Sequence, residues 1–191
     1  MLSTHSALSV GDPCALRAAL IGLRGSGKST LGRAVGEKMS VPFVELNREI
    51  EAESGLSILE VFSLYGEGGY RRLEKRSIEA VIGAHASVVL AVGGGIVGAA
   101  GNYDLLLGGF HTVWLRANPE ECMARVRAQG DERPMAGNPQ AMNELHRILE
   151  ARDRLYALAD AQLSTSGKSV SESTELLAVV IDALLEKTRF A

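Results

Sequence analysis

The sequence contains only two cysteines, Cys14 and Cys122, and they lie far apart in the chain. Neither belongs to a C-x-x-C pair, so no disulfide framework or zinc site is expected, and a reducing cytoplasm is the simplest compartment. No apolar run approaches the roughly eighteen residues of a membrane span, and the N-terminus lacks the basic and apolar regions of a signal peptide. These absences predict a cytoplasmic protein that does not enter a membrane.

The chain also lacks an excess of basic charge, since 20 Lys and Arg residues face 23 Asp and Glu residues and give a net charge of −3. This balance argues against direct binding of nucleic acid through these residues. Internal repeats and low-complexity tracts are absent as well. With 191 residues, of which 46% are hydrophobic, the chain suits one domain with a substantial core.

The pattern along the chain divides it into a short tail and one domain. Residues 1–15 show no periodicity and are expected to form a flexible N-terminal tail or linker, so the domain spans residues 16–191. Five strands are predicted at 17–21, 42–46, 87–92, 112–115 and 162–165. Helical patterns separate them, including a short helix that starts at Ile50 and two helices at 57–65 and 67–84. This alternation predicts an α/β fold whose parallel sheet has helices on both faces.

Residues 22–30 read G-L-R-G-S-G-K-S-T, which is a complete P-loop with an apolar strand before it and a helix after it. Backbone N–H groups of such a loop surround a phosphate, and the helix N-terminus favours the anion. Lys28 can reach the β- and γ-phosphates and Ser29 can bind Mg²⁺, a combination that a chance glycine-rich turn would not supply. The predicted nucleotide-binding residues here are Gly22, Arg24, Gly25, Ser26, Gly27, Lys28, Ser29 and Thr30.

Two polar side chains follow the second strand, at the edge where ligands bind in open α/β sheets. Glu45 is a candidate for holding Mg²⁺ through water, and Asn47 is a candidate ligand-binding residue. The sequence leaves an alternative for each: Glu45 could be a solvated loop carboxylate and Asn47 a helix N-cap.

Further candidates lie farther along the chain. Arg71 can bind a carboxylate with two parallel hydrogen bonds, although arginines on charged helices commonly face solvent. Gly93, Gly94 and Gly95 follow an apolar strand and allow a ligand to approach the backbone, although a tight turn would also explain them. Arg152 lies on a helix, where exposure to solvent is the alternative.

The polar stretch at 129–137 reads Q-G-D-E-R-P-M-A-G. It is expected to act as a lid that closes on the nucleotide and brings Arg133 to the transferred phosphate. Taken alone, it would also pass for a surface loop.

In this order, the motifs resemble the shikimate kinase family over residues 17–187. Those carrying the resemblance are the P-loop, I-E at 50–51, G-x-S-I at 55–58, G-E-x-x-Y-R-x-x-E at 66–74, the triple glycine, R-P at 133–134 and Arg152. The resemblance implies a three-layer P-loop fold of the nucleoside-monophosphate-kinase type, with a five-stranded parallel sheet and a flexible lid. It also implies Mg²⁺-dependent transfer of the ATP γ-phosphate to the 3-hydroxyl of shikimate.

The resemblance assigns roles to individual residues. Arg71 and Arg152 would clamp the carboxylate of shikimate, and the triple glycine would approach its ring. Arg133 would face the phosphates as a catalytic residue together with Lys28, and Arg127 would lie near the adenine.

One departure from the family pattern concerns the candidate base. The family has Asp-x-Asp at the end of the second strand, whereas this chain has Glu45, Leu46 and Asn47. An amide can hydrogen-bond a hydroxyl but cannot accept its proton at neutral pH, and loss of a positioned base costs about 10²–10⁴-fold in rate. Tyr70 is a smaller change, because the family usually has phenylalanine there.

The phrases at 43–51, 112–115 and 133–138 also resemble a narrower group, the shikimate-kinase-like domains of benzoyl-CoA-responsive transcriptional regulators. These regulators carry an N-terminal helix-turn-helix DNA-binding domain, which this chain does not show. Two hypotheses follow. The first, which Asn47 favours, is an effector-sensing domain for an aromatic acyl-CoA. The alternative is an active ATP-dependent phosphotransferase that acts on shikimate or a related ring acid. Both expect ATP or ADP in the P-loop, and catalytic activity is left open.

Overall fold

The computed structural model describes residues 16–128 and 141–189. Five strands are present: β1 (Arg17–Ile21), β2 (Phe43–Glu45), β3 (Val88–Ala91), β4 (His111–Arg116) and β5 (Ala161–Ser164). Seven helices occur in the described ranges: α1 (Lys28–Met39), α2 (Leu46–Ser54), α3 (Ile58–Ala84), α4 (Ala100–Gly109), α5 (Pro119–Ala128), α6 (Ala141–Tyr156) and α7 (Val170–Arg189). A single 3₁₀ turn, Ile96–Gly98, precedes α4.

The five strands form one parallel sheet in the order β2-β3-β1-β4-β5, which confirms the predicted architecture. Strand β1 lies in the middle, where Leu20 pairs with Ala91 of β3 on one side and Val113 of β4 on the other. All of β3 is buried, as expected for a strand covered by helices on both faces. Because the strands are parallel, the segments that follow β1, β2 and β3 leave the same edge of the sheet side by side.

Helices cover the sheet on both faces and give the fold its three layers. One core packs α1 and α7 against the sheet, with Leu31 and Ile181 among its buried residues. The other core packs α2, α3, α4 and α6 against the opposite face, with Ile50, Ile78 and Leu106 completely buried. Truncating one of these side chains to alanine should cost about 2–5 kcal/mol of the free energy of unfolding.

The end of β2 differs from the sequence prediction in a way that affects the site. The strand ends at Glu45, and α2 begins at Leu46 rather than at Ile50. Asn47 therefore lies in the first turn of α2, so the N-cap interpretation of this residue is wrong. Glu45 occupies the N-cap position with extended backbone angles (φ −108°, ψ 110°). The physical reason is that the edge strand pairs with β3 alone, whereas Leu46 and Ile50 are both completely buried on one face of a helix.

Helix α3 starts with a capping box and contains one break. The Ser57 hydroxyl accepts a hydrogen bond from the Glu60 backbone N–H, and the Glu60 carboxylate accepts one from the Ser57 N–H. At Gly66 the backbone is not helical (φ 64°, ψ −173°), which separates segments 58–65 and 67–84. These segments correspond to the two helices predicted from the sequence.

Several predictions lie outside the described residues. They are the N-terminal tail at 1–15 and the lid at 129–137 with Arg133. Among the helices that are described, none combines the length and apolar character needed to cross a membrane.

Candidate active site

The lysine of the P-loop is hydrogen-bonded to the backbone of the same loop. The Lys28 ammonium donates hydrogen bonds to the backbone carbonyls of Gly22 (2.9 Å) and Leu23 (2.7 Å). Burial lowers the pKa of Lys28 to about 8, because desolvation disfavours the charged form. A phosphate oxygen placed in the loop would give this ammonium a negatively charged partner in place of the two neutral carbonyls.

Ser29 and Glu45 connect the P-loop to the end of β2. The Ser29 hydroxyl donates to the Glu45 carboxylate at 2.5 Å. A hydroxyl and a carboxylate are oxygen ligands of the kind that Mg²⁺ prefers, so the pair fits this ion. The described residues contain no group of three or more His, Cys, Asp or Glu side chains able to hold a metal. A magnesium ion at this pair would therefore take further ligands from a nucleotide and from water.

The other predicted P-loop residues differ in exposure. Gly22 and Ser26 are buried, and the Ser26 hydroxyl has no hydrogen-bond partner among the described residues. Arg24 and Thr30 are exposed. The Ser26 backbone N–H donates to the Leu23 carbonyl at 3.2 Å, which closes a turn within the loop.

Arg125 supports the loop from α5 and was not predicted. Its guanidinium pairs with Glu121 at 2.8 Å and reaches the carbonyls of Gly25 and Thr165, each at 3.4 Å. The i, i+4 spacing of Glu121 and Arg125 is visible in the sequence, but the contact with the P-loop depends on the packing of α5. Arg127, predicted near the adenine, is exposed near the end of the same helix.

The structure brings Arg71 and Arg152 to the same loop, although 81 positions separate them in the sequence. The Arg71 guanidinium donates to the Gly95 carbonyl at 3.1 Å, and the Arg152 guanidinium donates to the Gly94 carbonyl at 3.3 Å. The two guanidinium groups on adjacent carbonyls form a surface of N–H donors beside the triple glycine. Such a surface suits a carboxylate.

Arg71 is held in place by carboxylates on its own helix. It pairs with Glu67 at 3.1 Å and with Glu74 at 3.0 Å. Glu74 is completely buried and also accepts a hydrogen bond from the Asn102 amide at 2.8 Å, while its second oxygen lacks a partner within the described residues. These contacts hold the guanidinium beside the Gly95 carbonyl.

Gly94 packs the triple-glycine loop against the P-loop. A Cβ atom at this position would lie 2.9 Å from the carbonyl oxygen of Gly22, so no larger residue fits without moving the backbone. The Gly94 carbonyl also accepts a hydrogen bond from the Tyr156 hydroxyl at 2.7 Å. Tyr156 was not predicted, although its position four residues after Arg152 places both side chains on one face of α6. Its ring stacks on Trp114, with ring centroids 5.3 Å apart.

Asn47 has a specific partner in Tyr70. The Tyr70 hydroxyl donates to the Asn47 side-chain oxygen at 3.2 Å and lies 3.3 Å from the position of a Cβ on Gly93. The Tyr70 ring is buried and stacks on Phe62, with centroids 4.5 Å apart. Burial, together with the charge of Glu74, raises the pKa of Tyr70, so this hydroxyl keeps its proton at neutral pH.

A cavity of about 420 Å³ opens beside the P-loop, between the ends of β4 and β5 and helix α6. Leu23, Trp114, Arg116 and Asp153 are among the residues that line it. Its size is typical of a small-molecule site, and it is separate from the residues around the triple glycine.

The P-loop after β1 and the sheet order place the chain in the class of P-loop kinase folds, with its candidate site at the carboxyl edge of the sheet. The family model for shikimate kinase matches residues 24–187. The chain therefore belongs to the shikimate kinase family.

Individual relatives agree with this assignment. The chain is 38% identical over 167 residues to the shikimate kinase of Gloeobacter violaceus, which covers 87% of this chain and 93% of that protein. The shikimate kinase of a Synechococcus strain is 35% identical over 167 residues, covering 87% and 85%. A solved structure of shikimate kinase from Acinetobacter baumannii in complex with shikimate superposes with a TM-score of 0.77 at 27% identity, covering 88% of this chain and 94% of that one. Because these relatives are kinases, the narrower resemblance to regulator domains stays a prediction.

Proposed function

We propose that the protein is an ATP-dependent phosphotransferase of the shikimate kinase type, which acts on a hydroxyl group of a ring carboxylic acid. This is the alternative rather than the favoured hypothesis of the sequence analysis. It is now preferred because relatives at 35–38% identity are shikimate kinases. The observation that carries it is the contact of Gly94 with Gly22, because Arg71 and Arg152, the residues proposed to bind a carboxylate, are hydrogen-bonded to this glycine loop next to a complete P-loop.

The P-loop side would hold the nucleotide. Lys28 would exchange its two carbonyl partners for phosphate oxygens, and the Ser29 and Glu45 oxygens would hold Mg²⁺. An Mg²⁺ ion held by Ser29 and Glu45 would neutralise part of the negative charge on the phosphates. The exposed Arg127 is proposed to lie near the adenine, and Arg133 is proposed to face the transferred group.

The acceptor side would hold the ring acid. Arg71 and Arg152 would leave the glycine carbonyls and bind the carboxylate, while the triple glycine lets the ring approach the backbone.

In the reaction a bond forms between the acceptor oxygen and the γ-phosphorus, and the bond from that phosphorus to the β,γ-bridging oxygen breaks. Asn47 can orient the hydroxyl but cannot take its proton, so the proton leaves to solvent. Positioning and charge stabilisation dominate phosphoryl transfer, and we therefore expect slow but measurable turnover.

A turnover assay tests this proposal. Release of ADP from Mg-ATP would be followed with and without shikimate, and phosphorus NMR would identify a phosphorylated ring acid as the product. The Lys28→Met variant serves as the inactive reference, because it removes the ammonium that contacts the phosphates. Shikimate-dependent ADP release by the wild type alone supports the proposal, and identical traces for the two proteins contradict it.

A second candidate is an effector-sensing domain for an aromatic acyl-CoA, as in benzoyl-CoA-responsive transcriptional regulators. The observation that favours it is Asn47 with its partner Tyr70, because an active kinase would not be expected to lose its base. In this candidate the phosphates of the CoA would use the P-loop, and an N-terminal DNA-binding domain would respond to a change in conformation. Equilibrium dialysis with benzoyl-CoA, using free CoA as the control, tests it. Tight binding of benzoyl-CoA that ATP displaces would support the sensor, and equally weak binding of both compounds would exclude it.

A further inference from the structure

The Gly94 carbonyl accepts two hydrogen bonds from side chains of the same helix. The Tyr156 hydroxyl donates to it at 2.7 Å and the Arg152 guanidinium at 3.3 Å. A carbonyl oxygen has two lone pairs, so it can hold both donors at once. If Arg152 turns to a ligand carboxylate, as the proposed function requires, the Tyr156 hydroxyl remains on the carbonyl. Without that hydroxyl, the same movement would leave the carbonyl without either of these donors, which costs free energy.

Tyr156 is the donor that is held in place. Its side chain is completely buried, and its ring stacks on Trp114 with centroids 5.3 Å apart. Burial raises the pKa of the Tyr156 hydroxyl, which therefore keeps its proton and stays a donor at neutral pH. Arg152 is only half-buried and makes the longer of the two hydrogen bonds. Of the two donors, the arginine is thus the one that can leave.

The second arginine shows the same arrangement with a donor from the main chain. The Gly95 carbonyl accepts hydrogen bonds from the Arg71 guanidinium and from the Gly98 backbone N–H, each at 3.1 Å. Arg71 can therefore also leave its carbonyl with one donor still in place. The two carbonyls differ in one respect, because the Gly98 donor belongs to the backbone of the 3₁₀ turn, whereas the Tyr156 donor can be removed by a single substitution.

We propose that Tyr156 is a positioning residue of the acceptor site, which holds the Gly94 carbonyl so that Arg152 is free to bind the carboxylate of the ring acid. This inference rests on the proposed function, because it takes a carboxylate as the group that Arg152 binds. Tyr156 is completely buried and acts through Gly94 and Arg152 rather than by touching the ligand. Its hydroxyl should therefore affect the binding of ligands that carry a carboxylate and not of those that lack one.

The test compares shikimate with its carboxamide, in which a neutral amide of nearly the same size replaces the carboxylate. Calorimetric titration of the wild type should give tighter binding of shikimate, since charge-assisted hydrogen bonds are stronger than neutral ones. Tyr156→Phe keeps the ring and removes only the hydroxyl. It should weaken shikimate binding about three- to tenfold, the usual net contribution of one hydrogen bond, and leave the carboxamide affinity within about twofold. In an Arg152→Ala background the same substitution should change neither affinity, because no arginine has to leave the carbonyl.

The matched control is Tyr103→Phe. Tyr103 is buried as well, and its hydroxyl donates to the Leu155 carbonyl on the same helix at 2.9 Å, which is not part of the triple-glycine loop. This variant should lose a similar amount of stability in urea and keep the wild-type ratio of the two affinities.

A purely structural role of Tyr156 would weaken both ligands by the same factor, and that result would overturn the inference while leaving the proposed function intact. Equal losses of shikimate affinity in Tyr156→Phe with and without Arg152 would overturn it as well. If the wild type binds neither compound, the proposed function fails and this inference fails with it. A crystal structure of the wild type with shikimate needs no variant. It should show Arg152 on the carboxylate and Tyr156 on Gly94, and Arg152 still on Gly94 beside the bound ligand would contradict the inference.

Discussion

The two halves of the site depart from the family pattern to different degrees. The nucleotide half consists of the P-loop at 22–30 with Glu45, and it contains every residue type that the P-loop motif requires. The proposed acceptor half consists of Asn47, Tyr70, Arg71, the glycines at 93–95 and Arg152, and it keeps both arginines but has an amide in place of the aspartate. Under the proposed function, the side chains that hold the phosphates are separate from those that choose the acceptor, so the second set can change while the first is kept.

The two halves nevertheless share one backbone contact. Gly94 lies against Gly22, and Tyr156 fixes the Gly94 carbonyl from α6. A change in the conformation of either loop should therefore shift the backbone of the other.

Loss of the P-loop ammonium should have the largest effect. Lys28→Met removes the ammonium proposed to bind the phosphates and should lower turnover by about 10²–10³-fold while shikimate affinity in the absence of nucleotide stays within about threefold. Turnover assays and calorimetry measure the two quantities. The matched control is Lys38→Met on the same helix, whose ammonium pairs with Glu175 on the surface. Equal losses in the two variants would contradict the assignment of Lys28.

Restoring the carboxylate of the acceptor half should have the next largest effect. Asn47→Asp supplies a group able to accept the hydroxyl proton and should raise shikimate phosphorylation by about 10²-fold, the lower end of the usual contribution of a base. Steady-state kinetics with Mg-ATP held at saturation measure the gain. An unchanged or lower rate would mean that the acceptor half serves a different ligand.

Removing one guanidinium should weaken the acceptor half alone. Arg71→Ala should reduce the affinity for a ring carboxylate by about 10–100-fold, because a charge-assisted hydrogen bond is lost, and should leave Mg-ATP affinity unchanged. Arg72→Ala, which alters the exposed neighbour, is the control. Calorimetry would refute the assignment if both variants bound shikimate as the wild type does.

The contact between the halves can be tested with two glycines. Gly94→Ala places a methyl group against the Gly22 carbonyl and should cost about 1–3 kcal/mol of the free energy of unfolding while weakening both ligands. Gly98→Ala puts the same methyl group where no atom lies within 4 Å and should be nearly neutral. Urea unfolding and calorimetry measure both effects, and equal behaviour of the two variants would argue against the contact.

The last prediction is a pH dependence of nucleotide binding. In the free protein burial lowers the pKa of Lys28 to about 8, and bound phosphate favours the protonated form. Above that pH the lysine must first regain its proton, so the affinity for Mg-ATP should fall by up to about tenfold per pH unit. Calorimetry from pH 7 to 9.5 checks this, and Lys28→Met should show no such decline. An affinity that stays constant up to pH 9.5 in the wild type would be inconsistent with a lowered pKa.

The sequence predicts the fold well and locates the residues of the proposed nucleotide half, because both depend on local patterns. Alternating strands and helices indicated the sheet, and the P-loop motif located Lys28 and Ser29 without reference to tertiary structure. The acceptor half is harder to predict. Arg71 and Arg152 meet only because α3 and α6 converge on the triple glycine, and the Tyr70–Asn47 hydrogen bond depends on α2 starting at Leu46. Arg125 and Tyr156 were missed because their contacts with glycine carbonyls arise from helix packing alone.

The most direct test of the central claim is a set of parallel calorimetric titrations of the purified protein with Mg-ATP, shikimate and benzoyl-CoA. The claim is that a complete nucleotide half adjoins a site for a ring acid. It predicts that Mg-ATP binds and that shikimate binds more tightly once a non-hydrolysable ATP analogue is present. Tight binding of benzoyl-CoA with no response to shikimate, with or without nucleotide, would contradict the kinase and establish the sensor in its place.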